Sequence, residues 1–296
     1  NLQYKPNEDT LLYLKYSRGY KAGGIVLSAM TGSPILDSEH LNAYEVGYKF
    51  SPNRKLTVNT AAFYYDYANY QDFVSVRNLQ APSGFSTIGF NIPKSRNYGF
   101  ELTSSWHPTS HFTLTATGNY LSAEVTDGGS VTIVDTLDAG ATGSVKLRDR
   151  SGAVQTLTYK PQPCGAPTSA GQQPQCIDGD SLKGASPWKV WLSADYRFDF
   201  AKGSLDTVVA YSWRAGNVST YSKNPVYESD SYNQTDLRLV WRSEGSKYSL
   251  IGFVNNVFDQ IGTEYVTASA DLSGALFVNQ QLTIPRTWGI ELQTRF

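Results

Sequence analysis

Apolar and polar side chains alternate with a period of two along most of this chain. In NAYEVGYKF (42–50), Tyr44, Val46, Tyr48 and Phe50 alternate with Glu45, Gly47 and Lys49. NYGFELTSSW (97–106) sets Tyr98, Phe100, Leu102 and Trp106 against Gly99, Glu101, Thr103 and Ser105. HFTLTATGNY (111–120) opposes Phe112, Leu114, Ala116 and Tyr120 to Thr113, Thr115, Thr117 and Asn119. In KVWLSADYRF (189–198), Val190, Leu192, Ala194, Tyr196 and Phe198 face away from Lys189, Ser193, Asp195 and Arg197. TDLRLVW (235–241) and PRTWGIELQTRF (285–296) repeat the pattern, and segments 10–20, 55–69, 203–217 and 246–257 carry it less cleanly. That makes ten strands, each with one face for an apolar medium and one for water.

The connections alternate too. Short turns fall at 51–55, 107–111, 201–203 and 243–247, and between them lie polar, Gly- and Pro-rich links at about 22–39, 70–93, 126–186, 217–230 and 258–284. An all-β, antiparallel transmembrane β-barrel has this asymmetry, with short periplasmic turns and longer extracellular loops. Aromatics near strand ends, at Phe50, Trp106, Phe112, Phe198, Trp241 and Phe296, match an interfacial girdle. A large soluble antiparallel sheet is the rival reading. It leaves unexplained the mid-strand charges Glu45, Lys49, Glu101, Arg238, Glu291 and Arg295, and the unequal loops.

Composition adjusts this picture only slightly. The 296 residues carry a formal net charge of -1, which gives no reason to expect a nucleic-acid partner. The mean hydropathy is negative, and no apolar run approaches the roughly 18 to 20 residues of a membrane helix. Barrel strands dilute every apolar residue with a polar neighbour, so neither observation counts against them. No secretory signal opens the chain at Asn1, so the expectation is a removed signal or a piece of something longer.

Five stretches then carry a family resemblance: LYLKYSRGYKAGG (12–24), YEVGYKF (44–50), NYGFEL (97–102), FVNNVFD (253–259) and PRTWGIELQTRF. In this order they resemble the C-terminal barrel of TonB-dependent outer-membrane receptors of Gram-negative bacteria. The resemblance implies a 22-stranded barrel filled by an N-terminal plug. Ten strands are counted here, with no plug or TonB-binding segment before them, so residues 1–296 are expected to be the C-terminal portion. It also implies that the terminal Phe296 acts as a signal to the barrel assembly machinery.

Candidate chemistry is sparse. His40, His107 and His111 are the three histidines. His107 and His111 share one expected turn, where solvation is the simpler reading than a metal. An outer-membrane hydrolase would have to use Asp37, Glu39 and His40 at the barrel mouth, without a recognisable nucleophile. Cys164 and Cys176 lie in the longest loop and are expected to pair in an oxidising compartment. The acids Asp127, Asp135, Asp138, Asp149, Asp178 and Asp180 lack a calcium-loop spacing and are expected to be solvated. Inward charges would line a water-filled channel in a porin, or hydrogen-bond a plug in a receptor. Aromatic and cationic residues in or beside the loops could bind an aromatic or anionic ligand by stacking and cation–π contact. The candidates are Arg77, Phe85, Phe90, Arg96, Arg214, Tyr221 and Tyr227.

The resemblance implies a receptor that imports a scarce nutrient such as a ferric siderophore. Its expected partners are outer-membrane lipid, the TonB complex and that small molecule, with no cofactor and no enzymatic step. Cobalamin, haem and oligosaccharides stay open as substrates, and a passive porin-like channel stays open as the alternative.

Overall fold

The computed structural model describes residues 1–25, 35–77, 85–149, 151–169, 171–270 and 275–295. An eleven-stranded antiparallel sheet dominates it, each strand hydrogen-bonded to its neighbours in sequence. The strands are β1 (Leu2–Asn7), β2 (Thr10–Lys21), β3 (Glu39–Asn53), β4 (Leu56–Arg77), β5 (Phe85–Trp106), β6 (Phe112–Asp127), β7 (Trp188–Phe200), β8 (Gly203–Arg214), β9 (Tyr232–Ser243), β10 (Tyr248–Asn255) and β11 (Thr287–Thr294). The strand beyond the expected ten is β1. It is short, and its register shifts between Tyr4 and Asn7, where Pro6 has no ladder hydrogen to donate. The sheet is not closed, because β1 and β11 each have one unpaired edge.

Sequential antiparallel pairing sends successive connections to opposite ends. The turns at 8–9, 54–55, 107–111, 201–202 and 244–247 gather at one end, and every long link at the other. One expected link needs correction. Residues 70–93 are mostly not loop, since β4 and β5 stay paired out to Arg77 and Phe85. Asn69, at φ 56°, lies opposite Pro93, where one pair of the ladder is missing, and pairing resumes in the same register at Tyr70 and Ile92. In the sequence, that Asn and Pro look like the end of a strand when they mark only one missing pair, where Pro93 has no N–H to donate.

The two faces differ as the alternation predicts. Trp288, Ile290 and Leu292 stand between 72% and 75% exposed on one face of β11, with Glu291 and Gln293 on the other. Registers carry this outward parity across the sheet through Leu250, Leu239, Val209, Leu192, Phe100 and Val46. Aromatics bound the apolar face at both ends. Trp106 lies eight residues from Tyr98, and Phe112 eight from Tyr120. At about 3.3 Å per residue that is about 26 Å, close to the apolar band of an outer-membrane wall.

The inward face has a device of its own. The glycines of YEVGYKF, NYGFEL and TWGIEL each sit opposite an aromatic of the preceding strand: Gly47 with Tyr13, Gly99 with Phe63, and Gly289 with Phe253. A Cβ at these glycines would come within 2.1 Å of the Tyr13 ring, 3.0 Å of Phe63 and 2.6 Å of Phe253. The rings therefore lie on bare backbone, shielding a residue that has no side chain to pack. Tyr13 then donates a hydrogen bond to Glu45 at 2.6 Å.

Closely packed apolar side chains are concentrated at the long-link end. Ile92, Val125, Ile133, Ile177, Leu182 and Tyr221 form one cluster, and Val145, Val226, Tyr227 and Val266 another. The link between β6 and β7 contributes through a hairpin of Ser144–Arg148 with Val154–Thr158 and a pairing of Thr132–Ile133 with Gln175–Cys176. A disulfide joins Cys164 to Cys176. On the lower wall, Val240 and Ile251 are the buried exceptions, opposite each other across β9 and β10.

Candidate functional site

Buried acids hold the long links together. Asp135 is 3% exposed, and its carboxylate accepts hydrogen bonds from Ser222 Oγ (3.0 Å), Asn224 Nδ2 (2.9 Å), Tyr227 OH (3.1 Å) and the Leu137 amide (2.8 Å). Asp138 accepts from the Thr142 and Gly143 amides, the Thr142 hydroxyl and Tyr159 OH. Asp180 pairs with Lys223, while Asp72 takes Lys183 at 2.9 Å and the Tyr221 hydroxyl. Burial, reinforced by the neighbouring carboxylates, pushes the Tyr221 and Tyr227 hydroxyls far up, so both remain donors. The expectation of solvated acids therefore fails for Asp135, Asp138 and Asp180, which are internal acceptors. Asp127, Asp149 and Asp178 instead accept backbone N–H groups in turns. Among the described residues no three His, Cys, Asp or Glu side chains converge as metal ligands would.

Between this body and the wall, the inward face opens into a cleft of about 690 Å³. Lys189 and Trp191 of β7, Ser212 and Arg214 of β8, and Tyr232 and Gln234 of β9 line it. The volume is within the roughly 300 to 1,000 Å³ typical of small-molecule sites. Arg214 donates through Nη2 to the Thr263 carbonyl at 2.7 Å, and its guanidinium lies 6.0 Å from the Tyr232 ring centre. A second cleft, about 260 Å³, lies between Phe73, Asp135, Lys183, Tyr227 and Tyr265.

The structure separates the expected ligand residues. Arg214 lines the larger cleft. Tyr221 and Tyr227 are 1% and 5% exposed, so both serve in loop packing, with Phe90 edge-on to Tyr221. Arg96 pairs with Glu124 on the outward parity shared with Tyr98, away from the cleft. Arg77 and Phe85 are described as a backbone pair, and their side chains lie outside the described residues, as does Phe296. Sequence reasoning missed Trp191, whose signal was an aromatic at a polar position of the alternation. It also passed over Lys189 as merely polar. Of the hydrolase candidates, His40 meets Ser38 at 3.2 Å, and Glu39 accepts the Gln71 amide. On the short turn, His111 contacts Asp199 at 3.0 Å and His107 contacts Thr113.

Comparison with known proteins agrees with this architecture. A search among curated proteins returned no match. Among solved structures, the ferric yersiniabactin uptake receptor FyuA from Yersinia pestis superimposes with a TM-score of 0.69 at 17% identity, over 99% of this chain and 36% of that one. The copper transporter OprC gives 0.67 at 14% identity, over 99% and 38%. BauA, the ferric preacinetobactin receptor from Acinetobacter baumannii, gives 0.60 at 13%, over 98% and 35%. At such identities the likeness concerns the fold, and the chain spans little more than a third of each neighbour's length. The family model "TonB dependent receptor-like, beta-barrel" matches residues 1–257. The chain belongs to the TonB-dependent receptor-like β-barrel family.

Proposed function

We propose that this chain forms part of the wall and outer mouth of an outer-membrane receptor that takes up a ferric siderophore by a TonB-dependent route. The observation that carries the reading is the pairing of a family-type wall with a packed body of loops over an inward cleft. In this reading the short turns face the periplasm, the long links face outward, and lipid surrounds the apolar band. A plug carrying the TonB contact fills the inward side, and Phe296 is read by the barrel assembly machinery. Uptake consists of binding followed by movement of that plug, with no bond made or broken. The copper transporter among the neighbours suggests a bare metal ion as an alternative cargo. This stretch favours a chelate, because it holds one methionine and ties its two cysteines in a disulfide, so soft donors for copper are scarce. The test is uptake of iron-55 from a panel of ferric siderophores. Cells lacking other siderophore receptors would express the complete gene with and without TonB. TonB-dependent uptake of at least one chelate is expected. Equal entry in both strains, with passage of unrelated solutes, would establish the passive channel instead.

A further inference from the structure

Three features of the large cleft coincide without a structural reason of their own. On β6–β11, Trp191 is the one exposed large apolar side chain on the inward parity among the described residues, at 40%. Its register partners there are the small residues Thr117 and Ser212, which leave the ring uncovered. Two positions away, Lys189 sits directly opposite Arg214 across β7 and β8. Like charges facing each other across strands are destabilising, and neither cation is ion-paired among the described residues. Finally, Arg214 Nη1 is buried without a hydrogen-bond acceptor. A buried, unmet donor on a charged group is costly, and such a group calls for a partner.

The cleft is not uniformly cationic, since Asp236 and Glu264 also line it. Asp236 is occupied by Gln234 Nε2 at 2.7 Å and the Asn256 amide at 2.8 Å. It faces Ala210, four residues down β8 from Arg214, or about 13 Å along the strand. Glu264 accepts from Gln281 and makes no ion pair with Arg214. The unmet positive charge is therefore local to Lys189 and Arg214, with Trp191 two positions along β7 and the Tyr232 ring beside Arg214.

We infer that Lys189, Trp191 and Arg214, backed by Tyr232, form a subsite for an aromatic ring bearing a deprotonated oxygen, of the phenolate or catecholate kind. The anion meets the two cations, and Arg214 Nη1 gains its acceptor. The ring covers Trp191, whose π-face gives contact at little entropic cost. This inference rests on the receptor reading and narrows it to chelates with an aryl oxyanion.

The test uses the complete receptor purified from outer membranes. Its probes are the ferric complex of 2,3-dihydroxybenzoate and the ringless ferric complex of acetohydroxamate, each measured by titration calorimetry. Lys189→Gln and Trp191→Leu should each weaken the dihydroxybenzoate complex about tenfold, while Lys189→Arg keeps most of the affinity. Binding of the acetohydroxamate complex should not change. Heat-modifiable mobility confirms that each variant is assembled. Unchanged affinity in assembled variants overturns the subsite, as does an equal loss for both probes or failure of the wild type to bind the aryl probe. So does a Lys189→Gln receptor that binds normally but unfolds at lower temperature, because the partner would then be a carboxylate of the receptor itself. If the subsite responds as expected yet uptake does not depend on TonB, the subsite stands and the uptake reading falls. If uptake depends on TonB while the variants bind like wild type, the uptake reading stands and the subsite falls.

Discussion

On the wall, Trp288, Ile290 and Leu292 stand nearly three-quarters exposed, whereas Ile92 and Ile177 in the body above it are sealed at 0%. The wall holds its shape by strand ladders, and its inward face packs rings onto glycine backbone. The body is organised like a small globular protein, with two apolar clusters, satisfied buried acids and a disulfide. An apolar residue is therefore stabilising on the wall only if lipid covers it, and in the body only if protein does. Damage to one region should leave the other standing.

The largest effect should come from breaking the body. Asp135→Leu leaves the Ser222, Asn224 and Tyr227 side chains without their common acceptor, at about 1 to 3 kcal/mol for each unmet buried donor. The long links should become sensitive to protease on intact cells, while heat-modifiable mobility of the complete receptor stays near that of wild type. Collapse of assembly together with the loops would show that body and wall fold as one unit.

That asymmetry also governs what could be read from the sequence. The wall was legible because its signal is local: in NYGFEL, neighbours two residues apart report which face is apolar. The body's contacts are remote, with Tyr221 bonded to Asp72 across 149 residues and Tyr227 to Asp135 across 92. Nothing near Asp135 in the sequence distinguishes it from a solvated loop acid such as Asp149. Trp191 was hidden differently, since one residue out of pattern looks like noise until its register partners are known. Of the expected ligand residues, Arg214 lines the large cleft, and the alternation already separates it from Arg96, which shares the outward parity of Tyr98 and Phe100.

A charge on the lipid side is the next largest test, and it probes the wall alone. Ile290→Lys places a cation on the outward parity of β11 near mid-span, where the cost in a barrel is about 2 to 4 kcal/mol. Gln293→Lys sits on the inward parity and should be tolerated. The fraction of complete receptor showing heat-modifiable mobility should fall for Ile290→Lys only. Equal yields would remove the claim that lipid covers this face.

Within the wall, the two glycine environments can be set against each other. A Cβ on Gly99 would lie 1.9 Å from the Tyr120 carbonyl oxygen, whereas on outward-facing Gly118 its nearest neighbour is 3.8 Å away. Gly99→Ala should lower stability by about 1 to 3 kcal/mol through forced backbone movement, and Gly118→Ala should be neutral or slightly favourable. Thermal loss of the heat-modifiable form measures both. If the two variants melt together, the close approach of the Tyr120 carbonyl to Gly99 is relieved without cost and the two glycine environments are equivalent.

The smallest effect is a pH step confined to the body. Burial pushes the Asp138 carboxyl up, but hydrogen bonds from Thr142, Tyr159 and Gly143 outweigh it and hold the group below its ordinary value of 3.8. A carboxylate with a depressed folded-state pKa contributes stability above its unfolded value. That contribution fades as pH falls from 3.8 through the lowered folded value. Asp180 works the other way, since burial raises its carboxyl despite Lys223, so acid alone gives a mixed response. Asp138→Asn isolates the contribution, because it abolishes the titration at one site. The body of the wild type should grow more protease-sensitive as pH is lowered below 3.8, assayed with an acid-active protease on reconstituted receptor. Asp138→Asn should be more sensitive than wild type at neutral pH and should show a shallower acid step. An acid step of equal size in wild type and Asp138→Asn would mean that Asp138 does not control the body's response to acid.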